Sequence, residues 1–305
     1  MKKFLALVLV LVMLFSFSAC VEESTGDNTD NSSGNTQENN QDNNSTNNKT
    51  EETITFTELT AVDNDECSIK LTKITPDSLL GYSIKAQLEN KSAEKTYMFS
   101  AEYASINGVE CDPLFASEVA PGKKANESIT FMDSSFDDND IGLYTDIEIS
   151  FRVYDSNDWL ADPVAETTVH VYPYGEEKAV KFNRDTKDSD NVIIDNENIS
   201  FIVTGYEQDE IWGYTINIFL VNKTDKNIMF SVDEASVNGF MVDPFFATTV
   251  NANKVSFATI SWMESSFEEN EITDVETIEF ILKATDNDNW LADAIVSQTV
   301  TLSPN

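Results

Sequence analysis

The fold is decided by two matching segments of the chain, GYSIKAQLEN at residues 81–90 and GYTINIFLVN at residues 213–222. In the first segment, Tyr82, Ile84 and Leu88 alternate with polar side chains, and the second segment has the same period of two. This period places apolar side chains on one face of a β-strand. Each segment therefore predicts a strand with one buried face.

These strands belong to an internal repeat. An offset of 131 or 132 residues superimposes most of the sequence after residue 53 on itself. The tetrapeptide WLAD at 159–162 recurs at 290–293, and Asn107-Gly108 recurs as Asn238-Gly239. A match of this length and order indicates the tandem duplication of one small domain.

Each copy has the signals of a β-sandwich. The Asn-Gly pairs predict tight hairpins because both turn positions require positive φ. We predict about seven to eight short strands per copy, and one helical turn near residues 135–141 with Ser134 or Ser135 as its N-cap. The Cys-Trp-Cys pattern of true immunoglobulin domains is missing, so the prediction concerns architecture. The expected fold class is all-β, with two tandem Ig-like antiparallel β-sandwich domains.

The region before the repeats has two parts. Lys2 and Lys3 precede an uncharged run at residues 4–17 that is too short to span a bilayer as a mature helix. The Asn-rich stretch that follows has too few apolar residues to fold, which predicts a disordered tether. The expected divisions are a signal peptide at 1–19, the tether at 20–52, Ig-like repeat 1 at 53–174, a linker at 175–191, and Ig-like repeat 2 at 192–305.

Ser18 and Ala19, immediately before Cys20, resemble the lipobox of bacterial lipoproteins. An ordinary secretory signal with a coincidental cysteine is the alternative. The lipobox, the tether and the run from Asn90-Lys91-Ser92 to Pro121-Gly122-Lys123 resemble Gram-positive bacterial lipoproteins with tandem Ig-like domains of unknown function. The resemblance implies lipid attachment at Cys20, location on the extracellular face of the cell membrane, and no catalytic residues.

Composition narrows the possible functions. The formal net charge of −35 disfavours binding to nucleic acid or to anionic lipid headgroups, whose phosphates would be repelled. One histidine and three cysteines leave little material for common catalytic or zinc sites. His170 aligns with Thr301, which favours an exposed strand residue over a catalyst. We therefore expect no enzymatic activity and no cofactor.

Cys67 and Cys111 align with Ile199 and Val242 of the second copy. Two interpretations stay open. They are either small apolar core residues or one disulfide bond, which an exported protein permits.

An acidic loop with a tryptophan occurs in both copies, at residues 155–162 and 286–293. We favour a tight turn with a packed Trp, because Asp and Asn cap their own backbone. A Ca²⁺ site and a ligand-contacting Trp are the alternatives, although no glycine or distal glutamate completes an EF-hand loop. The candidate contact residues are Asp155, Asp158, Trp159 and Asp162, and then Asp286, Asp288, Trp290 and Asp293. The loops at 112–116 and 243–247 are expected to be pinned to the core.

The combined features predict a non-enzymatic, lipid-anchored surface protein that displays two Ig-like modules for binding a protein or a glycan. Two other interpretations are a structural spacer and, with less support, a cell-wall-directed hydrolase or a calcium-binding module. The hydrolase would need paired carboxylates in a cleft, and the predicted strands leave few long loops to build one.

Overall fold

The computed structural model describes residues 53–78, 81–132, 136, 139, 141–209, 213–289 and 291–304. The signal peptide, Cys20 and the tether lie outside these residues, as do Ser134, Ser135 and Trp290. Among the described residues, no helix is long and apolar enough to cross a membrane.

Repeat 1 contains nine strands among its described residues, arranged as two facing sheets. One sheet has the order β1-β2-β3-β7, and the other has the order β5-β4-β8-β9 with β6 also paired to β4. The strands are β1 Leu59–Asp63, β2 Cys67–Ser78, β3 Gly81–Asn90, β4 Tyr97–Ile106, β5 Val109–Cys111, β6 Ala116–Val119, β7 Lys124–Phe131, β8 Ile147–Asp155 and β9 Ala165–Val171.

Repeat 2 builds the same arrangement, again with nine strands in its described part. Its sheets have the orders β10-β11-β12-β16 and β14-β13-β17-β18, with β15 paired to β13. The elements are β10 Asn191–Asp195, β11 Ile199–Asp209, β12 Gly213–Asn222, β13 Ile228–Val237, β14 Phe240–Met241, β15 Ala247–Val250, β16 Val255–Trp262, helix α1 Glu264–Glu269, β17 Ile278–Asp286 and β18 Val296–Leu302.

The alternating pattern of the sequence forms the two cores. In β3, Ile84 is fully buried and lies opposite Ile129 of β7, while Ile216 of β12 lies opposite Ile260 of β16. Each repeat has its own cluster of buried apolar side chains. The prediction of an all-β fold with antiparallel sandwich packing is confirmed. The additional strands are short ones, such as β5 and β14, in which a period of two cannot be recognised.

The Asn-Gly hairpins are also confirmed. Asn107 and Gly108 have φ of 54° and 84°, and Asn238 and Gly239 have φ of 51° and 83°. The serine cap expected at Ser134 or Ser135 lies outside the described residues. At the equivalent place in repeat 2, helix α1 begins after Met263, which makes no side-chain capping bond, so its two serines lie inside the helix.

The two repeats share a continuous sheet. Strand β5 of repeat 1 pairs in parallel with β16 of repeat 2 through Val109 and Val255. The segment 175–191 contributes to the same junction, where Phe182 packs edge-on against Phe257 with ring centroids 5.9 Å apart. Val255 and Phe257 also pack against the core of repeat 1. The repeats are therefore joined by backbone pairing and by apolar packing.

Candidate functional site

The loop between β8 and β9 presents apolar side chains to solvent. Its turn is closed by Asp155, whose carboxylate accepts a hydrogen bond of 3.0 Å from the amide of Asn157. Trp159 is 65% exposed and Leu160 is 76% exposed. The turn chemistry expected for this loop is present, but the expectation that Trp159 packs on the core is wrong. The turn instead holds two large apolar side chains away from the protein.

The equivalent loop of repeat 2 has the same form. The Asp286 carboxylate accepts a hydrogen bond of 3.1 Å from the amide of Asp288 and one of 2.7 Å from the Lys226 ammonium. Leu291, the counterpart of Leu160, is 77% exposed. Trp290, the counterpart of Trp159, lies outside the described residues. An exposed leucine at the loop tip is thus common to both repeats.

The first aspartate of each loop is held ionised by its neighbours. The amide of Asn157 lowers the pKa of Asp155, and Lys95, at 3.5 Å, adds to this effect. A hydrogen bond from Lys226 lowers the pKa of Asp286. Both carboxylates are therefore already occupied by donors of the chain itself.

The remaining candidate aspartates do not converge on a common point. Asp158, Asp162, Asp288 and Asp293 are exposed. Within the described parts of the chain, no group of three His, Cys, Asp or Glu side chains is placed to hold a metal ion. The candidate residues surround the apolar tips with negative charge.

The Asp-Pro loops follow the expectation only in part. Phe115 is buried and Phe246 packs against the core of repeat 2, as a pinned loop requires. Leu114 and Phe245, one position earlier, are exposed. Each of these two residues forms an isolated bridge to β7 or β16, which fixes the backbone while the side chain faces solvent.

His170 and the cysteines do not form a catalytic set. The His170 ring lies 2.7 Å from a carboxylate oxygen of Asp146 and 3.3 Å from one of Glu148, on the surface of the β8–β9 sheet. Cys67 and Cys111 carry free thiols. Burial raises the pKa of the Cys67 thiol to about 11 and raises that of Cys111 strongly, so both thiols are protonated and weak nucleophiles.

A cleft at the junction of the repeats was not anticipated from the sequence. It has a volume of about 610 Å³ and is lined by Glu110, Cys111 and Met132 of repeat 1 and by Asn251 and Phe257 of repeat 2, among others. Burial raises the pKa of Glu110 to about 7, although the Asn251 amide donates a hydrogen bond of 2.9 Å to its carboxylate.

One sequence signal could have revealed this junction. Glu110 aligns with Met241 and Phe257 aligns with Asn126, so both positions change polarity between the two copies. Such a change of polarity at equivalent positions indicates a surface that the two copies use differently. The contacts of Glu110 and Phe257 bear this out.

Known proteins give little guidance. No family model matches the chain, and no curated protein is detectably similar to it. Among solved structures, the crystal structure of the YadV chaperone matches at 10% sequence identity, over 72% of this chain and 92% of that chain, with a TM-score of 0.24. A TM-score this low carries no argument about function.

Proposed function

We propose that this protein is a non-enzymatic, lipid-anchored surface protein whose two Ig-like modules bind a protein partner through the apolar tips of their β8–β9 and β17–β18 loops. The observation that carries the proposal is the exposure of Leu160 and Leu291 at equivalent loop tips. Single exposed apolar residues are common on protein surfaces. Here the exposed leucine is repeated in both modules, and Trp159 lies beside it in the first. Such a repeated apolar tip is suited to contact a partner.

The chemistry of the tips favours a protein over a glycan. Leucine offers an aliphatic surface, and fully burying such a side chain contributes about 1.5–3 kcal/mol. Sugars are bound largely through hydrogen bonds and flat aromatic faces. Trp159 offers one such face, whereas the exposed leucine that both repeats share offers an aliphatic one. An aromatic anchor such as Trp159, surrounded by a polar rim, is typical of a protein interface.

Two tips on one chain also favour binding to a repeated or clustered partner. When one tip is bound, the other searches a restricted volume, so the combined affinity exceeds that of either tip alone. In this proposal the lipid attached at Cys20 and the tether at 20–52 hold the modules at the outer face of the membrane. Lipid labelling with radioactive palmitate should be lost in Cys20→Ala, and labelling that persists would contradict the anchor.

The binding proposal is tested with the full chain in proteoliposomes and with bacterial cell envelopes as the probe. We expect retention on untreated envelopes, loss after the envelopes are treated with protease, and a loss of about tenfold or more in Leu160→Asp/Leu291→Asp. Val192→Asp, which changes an exposed valine of β10, is the matched control and should bind as the unmodified protein does.

Equal retention before and after protease treatment would identify a glycan instead. Absence of retention in either case would favour a purely structural spacer. In both outcomes the proposed protein-binding function is wrong.

A further inference from the structure

The same edge strand is covered in repeat 1 and bare in repeat 2. Strands β5 and β14 both follow an Asn-Gly turn. Each forms the second strand of a hairpin, β5 with β4 and β14 with β13. Val109 in β5 is 2% exposed, whereas Phe240 at the same position of β14 is 49% exposed and Met241 is 64% exposed. Phe240 therefore stands where the covered strand has Val109, and Met241 stands where it has Glu110.

The cover of β5 is well defined. The amide of Val255 donates a hydrogen bond of 3.0 Å to the carbonyl of Gly108, beside the Val109–Val255 pair. The Lys254 ammonium lies 2.6 Å from the Glu148 carboxylate. This contact joins the start of β16 to β8, and β5 and β4 lie between these two strands in the sheet.

The turn of repeat 1 is covered as well. Lys181 donates a hydrogen bond of 2.8 Å to the carbonyl of Asn253, and its side chain lies over Gly108, within 3.4 Å of where a Cβ atom would stand. Gly239, at the same place in repeat 2, has no neighbour within 4 Å of that position. Among the described residues, no strand other than β13 pairs with β14, so its outer backbone edge is unpaired.

The chain also carries a second example of the covering strand. Strand β7 of repeat 1 is the counterpart of β16 and lies at the edge of its sheet, paired only to β3 among the named strands. On its outer side, Leu114 forms a bridge to Thr130 and the Ser117 hydroxyl donates to the Glu127 carboxylate. At Lys124, no described residue forms a backbone hydrogen bond on this outer side. Lys123, before this strand, is the counterpart of Lys254, and the exposed Glu279 of β17 is the counterpart of Glu148.

We propose that molecules of this protein associate head to tail, with β14 of one molecule pairing in parallel with the Lys124 end of β7 of a second copy. In this arrangement Lys123 of one molecule meets Glu279 of the other, as Lys254 meets Glu148 within the chain. The Lys124 amide donates to the Gly239 carbonyl, and the aliphatic part of Lys124 covers Phe240.

The contact uses different surfaces on the two molecules, so it does not close on itself in a pair. A heterologous interface of this kind extends into open chains of molecules, or into a ring where the rotation between neighbours closes. It is weaker than the junction within the chain, because Asn126 stands at the position where Phe257 packs against the core of repeat 1. The expected association is therefore reversible and depends on concentration.

The test is sedimentation velocity of the full chain in density-matched detergent across a concentration series. We expect species larger than a monomer that grow with concentration. Phe240→Asp and Lys123→Glu should each weaken association about tenfold or more. Lys73→Glu, on the exposed face of β2, makes the same charge change away from both edges and should leave association unchanged.

Two further measurements separate this contact from other modes of association. Lys123→Glu/Glu279→Lys exchanges the two charges and should restore the association that each single change weakens. A mixture of Phe240→Asp, which keeps β7 intact, with Lys123→Glu, which keeps β14 intact, should form dimers and no longer species. Monomers at every concentration, or association unaffected by Phe240→Asp, would overturn the proposal.

Discussion

Strands β5 and β14 follow the same kind of turn and pair with equivalent strands, but one is covered and the other is exposed to solvent. In repeat 1 the edge carries Val109 and Glu110 and is covered by β16, whereas in repeat 2 it carries Phe240 and Met241 and faces solvent. One copy of the hairpin therefore lies in a closed junction and the other has an open edge. The duplication conserved the hairpin, while the side chains of its second strand changed.

The tips of the β8–β9 and β17–β18 loops show the opposite behaviour. Both loops are closed by an aspartate that accepts a backbone hydrogen bond, and both expose a leucine. The partner lysine differs in distance, at 3.5 Å for Lys95 and 2.7 Å for Lys226. Where the edge strands have diverged, these loop tips have kept a common form.

The largest expected effects test whether the shared sheet makes the repeats unfold together. Trp262→Ala and Phe131→Ala remove equivalent, fully buried side chains, and each should lower the free energy of unfolding by about 3–5 kcal/mol. The loss should be greater for Trp262, whose indole nitrogen donates a hydrogen bond of 2.9 Å to the carbonyl of Val242. Urea unfolding should show one transition in both variants, and two separate transitions would show that the junction does not couple the repeats.

Two equivalent buried asparagines allow a finer comparison. The two N–H groups of the Asn222 side chain are shared among the carbonyls of Lys226, Val250 and Asn251, and its oxygen accepts from both the amide and the hydroxyl of Thr224. The Asn90 side chain donates to two carbonyls, and its oxygen accepts from the amide of Ser92. Replacement by alanine removes the donor from these carbonyls, of which those of Val119 and Val250 are buried, at a cost of about 1–3 kcal/mol in each variant. Chemical denaturation should rank Asn222→Ala as the more destabilising change, and the reverse order would contradict this assignment.

Glu110, buried at the junction, should make the free energy of unfolding depend on pH. Its counterpart in repeat 2, Met241, does not titrate. Burial raises the pKa of Glu110 to about 7 in the folded protein, so unfolded chains release this proton at lower pH than folded ones. The contribution of Glu110 to stability therefore falls as pH rises from the ordinary glutamate range towards 7. Glu110→Gln should raise the free energy of unfolding at pH 8 by about 1–3 kcal/mol and have little effect at pH 4.

Lys254 and Glu148 are the charged groups that act on Glu110, and both remain in this variant. Glu118→Gln, at an exposed site of β6, is the control and should leave the free energy of unfolding unchanged at pH 8 and at pH 4. A uniform effect of Glu110→Gln at all pH values would exclude the titration of this carboxyl as the cause.

The smallest expected effects concern the two loop aspartates. The pKa of each is lowered, so the stabilisation that they provide is present at neutral pH and is lost as pH falls through their depressed pKa values. Asp286→Asn should reduce acid sensitivity more than Asp155→Asn, because Lys226 lies closer than Lys95. Acid denaturation monitored by circular dichroism measures the difference.

Calorimetric titration with calcium should be flat for the unmodified protein, because these carboxylates already accept hydrogen bonds from the chain. Saturable binding that is lost in both variants would contradict the assignment of the loops as turns.

The alternating segments at 81–90 and 213–222 and the Asn-Gly pairs were sufficient to predict strands, hairpins and the all-β class. Local periodicity and turn chemistry depend on neighbouring residues, which the sequence states directly. The packed Trp159 was predicted wrongly for the complementary reason. Whether a side chain at a turn faces the core or the solvent depends on how the turn is oriented by strands distant in sequence.

The sequence by itself determined the duplication, the period of the strands and the composition of the acidic loops, because these are properties of residue order. Only the tertiary structure decided that β16 would cover β5, that Glu110 would be buried, and that Leu160, Leu291 and Phe240 would be exposed. Burial of these residues depends on which sheet edges meet, and that is set by the packing of whole repeats. The two copies share a pattern, and their different neighbours give the same strand two different roles.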